Sequence, residues 1–227
     1  YQKGIKYPIA DFEITPDVAI VDPDLAETMP KKLVAHTGMD AMTHAIEAYV
    51  STANCDFTDP LAIHAIEMIM KDLIPSYNGD MTARDNMHNA QCLAGMAFSN
   101  ALLGIVHSMA HGLSALYDTP HGVACAIILP TGLEYNKSVA GERYRAVGKA
   151  MGVEGIDAMT AEEAADATIA AVKKLSEDVG IPENLKGILK EEDVQFLAES
   201  AFADACCPGN PRDTSVEEIA ELYRSLM

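Results

Sequence analysis

From residue 31 onward the apolar residues recur at helical period, in blocks separated by proline, glycine and asparagine. Lys31 to Ser51 reads as one helix. Thr58-Asp59-Pro60 then supplies a cap and a first-turn proline for a second helix that runs to about Tyr77 and stops at Asn78-Gly79. Thr82 to about Leu103 is long and rich in small residues (Ala90, Ala94, Gly95, Ala97), the pattern of a helix crowded by neighbours on several sides. A further helical stretch follows Gly104, and a turn at Asp118-Thr119 with Pro120 starts the next helix toward Asn136. Pro130 predicts a bend or break there, and Gly141 to Gly152 then reads as a separate short helix. Thr160-Ala-Glu-Glu163 has the spacing of a capping box and opens a helix that lasts until Gly180. Lys190 to Ala205 and Ser215 to Met227 are two more amphipathic helices, joined by the turn-rich stretch Cys206 to Asp213. The pattern predicts a mainly α fold.

The first two dozen residues differ in character. Lys6-Tyr-Pro-Ile9 and the β-branched run Asp17-Val-Ala-Ile-Val21, ending at Asp22-Pro23, read as two short strands. Two such strands cannot form a stable sheet alone, and no partner strands follow. The expectation is that they are orphans of a sheet elsewhere and that the chain is a fragment.

Charge and cysteine content narrow the function classes. The 227-residue chain carries 16 Lys plus Arg against 34 Asp plus Glu, a formal net charge of -18. That balance disfavours nucleic acid and anionic membrane as partners. No apolar run is long enough to span a bilayer and no secretory signal pattern is present, so a cytoplasmic location is expected. The five cysteines are scattered without C-x-x-C spacing, which predicts reduced thiols rather than a disulfide framework or a zinc knuckle.

Candidate chemistry concentrates in two stretches. Gly104 to Gly122 holds three of the seven histidines: His107 and His111, four apart on one helix face, and His121 at the start of the next helix. Gly38 to Ser51 holds Asp40 and His44 at the same offset, among apolar neighbours where an uncompensated carboxylate is costly. One carboxylate and up to three imidazoles suit zinc, iron or a neighbouring first-row metal better than magnesium or calcium. A buried Asp–His hydrogen bond and satisfied core histidines account for the same spacings. Spacing alone also leaves open whether His111 or His121 joins His107.

With these residues in view, the chain resembles the C-terminal half of the iron-containing, or group III, alcohol dehydrogenases. The resemblance rests on Pro16 to Pro23, Gly38-Met-Asp-Ala-Met-Thr-His-Ala-Ile-Glu47, Gly104-Ile-Val-His-Ser-Met-Ala-His111, Tyr117-Asp-Thr-Pro-His-Gly122 and Gly209-Asn-Pro-Arg-Asp-Thr214. It implies that Asp40, His44, His107 and His121 hold one divalent metal, Fe2+ with Zn2+ as the other option. It implies a catalytic and cofactor-side role for His111 beside the nicotinamide of NAD or NADP, with Asp22 and Pro23 near the cofactor cleft. Glu47 is either a carboxylate behind the ligands or a plain surface residue. The implied fold is the helical domain of the dehydroquinate synthase-like architecture over residues 30–227, with residues 1–29 a remnant of an N-terminal α/β nucleotide-binding domain and interdomain segment. The implied reaction is metal-assisted hydride transfer between a small alcohol or diol, or the corresponding aldehyde, and NAD(P), in a homo-oligomer. No glycine-rich phosphate-binding turn occurs in the chain, so the fragment is expected to be inactive alone. A hydrolase using a metal-bound water is the alternative.

Overall fold

Proline and short polar side chains start the helices where the pattern places them. The computed structural model describes residues 5–9 and 11–227. Its eight α-helices are α1 (Lys31–Val50), α2 (Asp59–Tyr77), α3 (Met81–Ala101), α4 (Ile105–Tyr117), α5 (His121–Ala150), α6 (Ala161–Asp178), α7 (Glu191–Phe202) and α8 (Val216–Ser225). Pro30 precedes α1, and Pro60 sits in the first turn of α2, where its missing N–H costs nothing. The capping box is formed at α6: the Glu163 N–H donates to Thr160 Oγ1 at 3.2 Å and the Thr160 N–H to Glu163 Oε2 at 2.8 Å. Ser215 and Glu218 repeat the device at α8.

α1 packs against α2, α3 and α5, and α5 in turn meets α4 and α6. α7 and α8 pair with each other and cover α4 from outside. Met39, Met42, Ile46, Ile66, Ile105, Met109, Leu113 and Ile128 are fully buried where these helices meet. α4 is enclosed over Ile105 to Ser114, and the Tyr223 hydroxyl donates to the Met109 carbonyl at 2.7 Å, fixing α8 on it. No single helix among the described residues is long and apolar enough to cross a membrane; α3 and α4 meet that test only as a pair bent by 106°. All five cysteines are free thiols.

Two expectations need correction. Among the described residues there is no β-strand: Lys6 to Ile9 and Asp17 to Val21 are irregular, with Val18 and Ile20 exposed. A β-branched run becomes a strand only when a neighbour takes its backbone hydrogen bonds, and among the described residues neither run is paired in a ladder. α5 is also one continuous helix through Pro130. Proline removes a ladder bond but the helix is held on both sides of it by buried residues, Ile127 to Leu129 before and Gly132 and Leu133 after. That packing outweighs a penalty of roughly 3 kcal/mol.

Candidate metal centre

Three helices bring the predicted donors together. Asp40 and His44 lie one turn apart on α1, His107 sits in the first turn of α4, and His121 is the first residue of α5. Asp118 adopts a left-handed conformation (φ 52°) that ends α4, and Thr119-Pro120 reverses the chain, so His121 is carried back toward His107. A Cβ at Gly122 would stand 2.1 Å from the His36 carbonyl oxygen, so only glycine lets the start of α5 lie this close to α1.

Asp40 Oδ1 is the hub. It lies 4.0 Å from His44 Nε2, 3.6 Å from His107 Nε2 and 3.8 Å from His121 Nε2. These separations are too long for hydrogen bonds and fit donors facing a shared ion. Asp40 Oδ1 and His107 Nε2 are both buried without a hydrogen-bond partner, as is His44 Nδ1. Each such atom left alone costs on the order of 1–3 kcal/mol, and a divalent ion between Oδ1 and Nε2 would remove two of these penalties at once. The residues therefore fit the group that the resemblance implies.

The electrostatics agree with that role. Burial alone would raise the Asp40 carboxyl, but the imidazoles around it, His107 foremost, outweigh burial and hold Asp40 well below the usual carboxylate range. Burial and the neighbouring His107 push His44 down to about 3, against the pull of Asp40. Burial likewise pushes His121 down to about 4. Both therefore stay neutral near pH 7, the form in which imidazole coordinates. Burial also opposes charging of His107, but the carboxylates on its two nitrogens raise it well above the ordinary value.

Glu47, three residues beyond His44, is no surface residue: it is 4% exposed and lies behind His107. Its carboxylate accepts from the Val106 N–H at 2.8 Å, the His107 N–H at 3.3 Å and His107 Nδ1 at 2.5 Å. It thus caps the open N-terminus of α4 and fixes the proton of His107 on Nδ1, leaving Nε2 as the ligand atom. A Cβ at Gly104 would come within 2.9 Å of Glu47 Oε1, which explains the glycine there.

His111 stands beside the hub and is held apart from it. Its ring stacks on that of His121 (centroids 5.3 Å apart) while Nδ1 bonds Asp204 Oδ2 at 2.9 Å. Phe98 of α3 stacks on His44 at 4.5 Å and forms an apolar wall. Asp22 and Pro23 lie in the lead-in before α1, where Asp22 Oδ1 caps a short 3-10 turn at the Asp24 N–H.

Sequence reasoning missed Cys125 and Asp204. Cys125 follows His121 by one turn, and its sulfur is 3.6 Å from His121 Nε2. Asp40, His107, His121 and Cys125 offer donor atoms all within 4.8 Å of one another, and His44 Nε2 lies 4.0 Å from Asp40 Oδ1. Burial pushes the Cys125 thiol up to about 12, so it remains protonated and the imidazole of His44 is the better donor. The four-residue offset that drew attention to Asp40 and His44 applies to His121 and Cys125 too. Nothing local in the sequence points to Asp204.

A carboxylate and three imidazoles converging on an all-helical domain are a donor set suited to a divalent transition metal. Residues 34–227 match the C-terminal part of the Fe-containing alcohol dehydrogenase family, and the chain belongs to that family. It is 53% identical to an NADPH-dependent butanol dehydrogenase of Clostridium saccharobutylicum over 98% of this chain and 58% of that protein. It is 45% identical to a lactaldehyde reductase of Escherichia coli over 99% of this chain and 59% of that protein. A crystal structure of a 1,3-propanediol oxidoreductase superposes with a TM-score of 0.88 at 42% identity, over 91% of this chain and 55% of the other. The chain thus spans less than two thirds of the length of these relatives.

Proposed function

We propose that residues 30–227 are the metal-holding catalytic domain of an iron-dependent, NAD(P)-linked alcohol dehydrogenase or aldehyde reductase, and that residues 1–29 lead in from a nucleotide-binding domain. The observation that carries this is the convergence of His44, His107 and His121 on Asp40 Oδ1 within 4.0 Å, two of the facing atoms being buried and unpartnered. Asp40, His44, His107 and His121 would hold the ion, which would supply a Lewis acid at the oxygen of a small alcohol or aldehyde.

The chain's own residues do the rest. Glu47 orients His107, Phe98 excludes water along one side, and His111 offers Nε2 at the open edge where the cofactor would approach. His111, Asp22 and Pro23 are the cofactor-side residues in this reading. NAD against NADP, Fe2+ against Zn2+, a homo-oligomer and a cytoplasmic location belong to the same proposal. Its relatives named above act on butanol, lactaldehyde and 1,3-propanediol, which supports a short primary alcohol or diol. The hydrolase reading loses one of its candidate bases, because Glu47 is engaged by three donors.

The test is NAD(P)H absorbance with a short primary alcohol and ferrous ion, oxygen excluded, for this chain and for a protein of its relatives' full length. Turnover is expected only in the longer protein, because nicotinamide and alcohol must both be positioned. Absence of turnover in both, with hydrolysis of an activated ester instead, would overturn the proposal.

A further inference from the structure

We propose that Asp204 is a positioning residue for His111, setting which ring nitrogen keeps a lone pair at the open edge of the site. Asp204 lies just beyond α7, 93 residues from His111 in sequence, and the two side chains are 6% and 9% exposed. Both carboxylate oxygens are committed: Oδ2 to His111 Nδ1 at 2.9 Å and Oδ1 to the Cys206 N–H at 2.9 Å. A carboxylate can only accept, so in the neutral imidazole the His111 proton resides on Nδ1 and Nε2 keeps its lone pair. No bond to Nε2 is made by the described residues, so it is free to accept from an O–H group entering the site.

The carboxylate is itself held firmly. The Asp204 N–H donates to the Ala201 carbonyl at 3.2 Å and the Cys207 N–H to the Asp204 carbonyl at 3.1 Å. Beyond it, the Thr52 N–H donates to the Gly209 carbonyl at 2.9 Å, and Asn210 exchanges amide bonds with Asn136 at 2.8 and 2.9 Å. Asn210 Oδ1 also accepts from the Ile105 N–H at 3.3 Å, at the start of the helix that carries His111. Asp204 and His111 are thus referred to one frame.

His111, Asp204 and Cys206 also lie close enough together to suggest a second metal site. Against that, the oxygens of Asp204 are already bonded, and burial beside Asp204 raises the Cys206 thiol far above its ordinary value, keeping it a neutral, poor ligand.

This proposal rests on the dehydrogenase reading only where turnover is the measure, so its test has an independent arm. In Asp204→Asn the Cys206 N–H retains the amide oxygen, which turns the NH2 group toward His111 Nδ1. The imidazole must then accept at Nδ1 and carry its proton on Nε2. Long-range 1H–15N spectra of the full-length protein with labelled histidine should show that exchange of tautomers, with the other site histidines unchanged. Turnover should fall on the order of tenfold to a hundredfold while KM and metal content stay within about twofold, the scale of losing an orienting partner. In a His111→Asn background Asp204→Asn should cost nothing further, since it acts through His111. An unchanged tautomer, or an equal loss in both backgrounds, would overturn the proposal. If the wild type shows no NAD(P)-linked turnover but the tautomer switches, the dehydrogenase reading fails and the positioning bond stands.

Discussion

Acid should destabilise the metal-free protein through two particular imidazoles. His44 is held down to about 3 and His121 to about 4, each from an ordinary value of 6.5. In the unfolded chain both take up a proton as pH falls through 6.5, whereas in the folded chain they do not, so the unfolded state binds more protons and stability falls with pH. The loss starts near 6.5 and is complete only below the folded values. For the two together it amounts to about 3 kcal/mol at pH 5.5 and about 5 kcal/mol at pH 4.5, at 1.36 kcal/mol per unit. A domain stable by 5–15 kcal/mol is brought close to unfolding by that amount. His107, raised above its ordinary value, adds stability as pH falls through 6.5 and so opposes the loss there, but below about pH 5.5 it is protonated in both states and its contribution is constant. The assay is urea unfolding in excess chelator at pH 7.5, 6.5, 5.5 and 4.5, for the wild type and for His44→Asn/His121→Asn. The variant should lose the steep part of the pH dependence. Equal slopes in the two proteins would refute the reasoning.

The remaining predictions concern the donors and their supports. Glu47→Gln puts an NH2 group against donors that need an acceptor, and metal affinity measured by chelator competition should drop on the order of tenfold to a hundredfold; unchanged affinity would remove Glu47 from the site. His44→Ala and His121→Ala should lose the metal by elemental analysis in the full-length protein, while Cys125→Ser and His111→Ala retain it, the latter with impaired turnover. Metal loss in Cys125→Ser with retention in His44→Ala would mean that Cys125, not His44, completes the donor set. Gly122→Ala drives a methyl against the His36 carbonyl, 2.1 Å from the ideal Cβ position. It should lower unfolding stability by about 1–3 kcal/mol and weaken metal binding with it, and a neutral result would mean α5 can shift without harm.

Helix positions and the pairing of Asp40 with His44 on one face were legible in the sequence because both depend on short spacings, whereas spacing left His111 and His121 undivided and only the resemblance chose His121. The Thr160 capping box, the proline at the start of α2 and the four-residue offset of Asp40 and His44 are local patterns with local causes. What escaped depends on distant neighbours. Glu47 could not be told from a surface carboxylate until α4 was laid against it, and Asp204 reaches His111 only because α7 packs on α4. Pro130 was misleading for the same reason, since its local penalty is overcome by packing on other helices. The run at Asp17 to Val21 has strand composition, but composition does not provide the neighbour that a strand requires.

α4 is buried over ten consecutive residues, Ile105 to Ser114, and so presents no solvent-facing side along that length. Amides there should exchange with deuterium only when the whole domain opens, unlike those of the exposed lead-in before α1. His107 and His111 are therefore carried on the least yielding rod of the molecule. Accommodation of ligands of different size falls to the surroundings: Phe98 on α3, and the segment after α7 that carries Asp204.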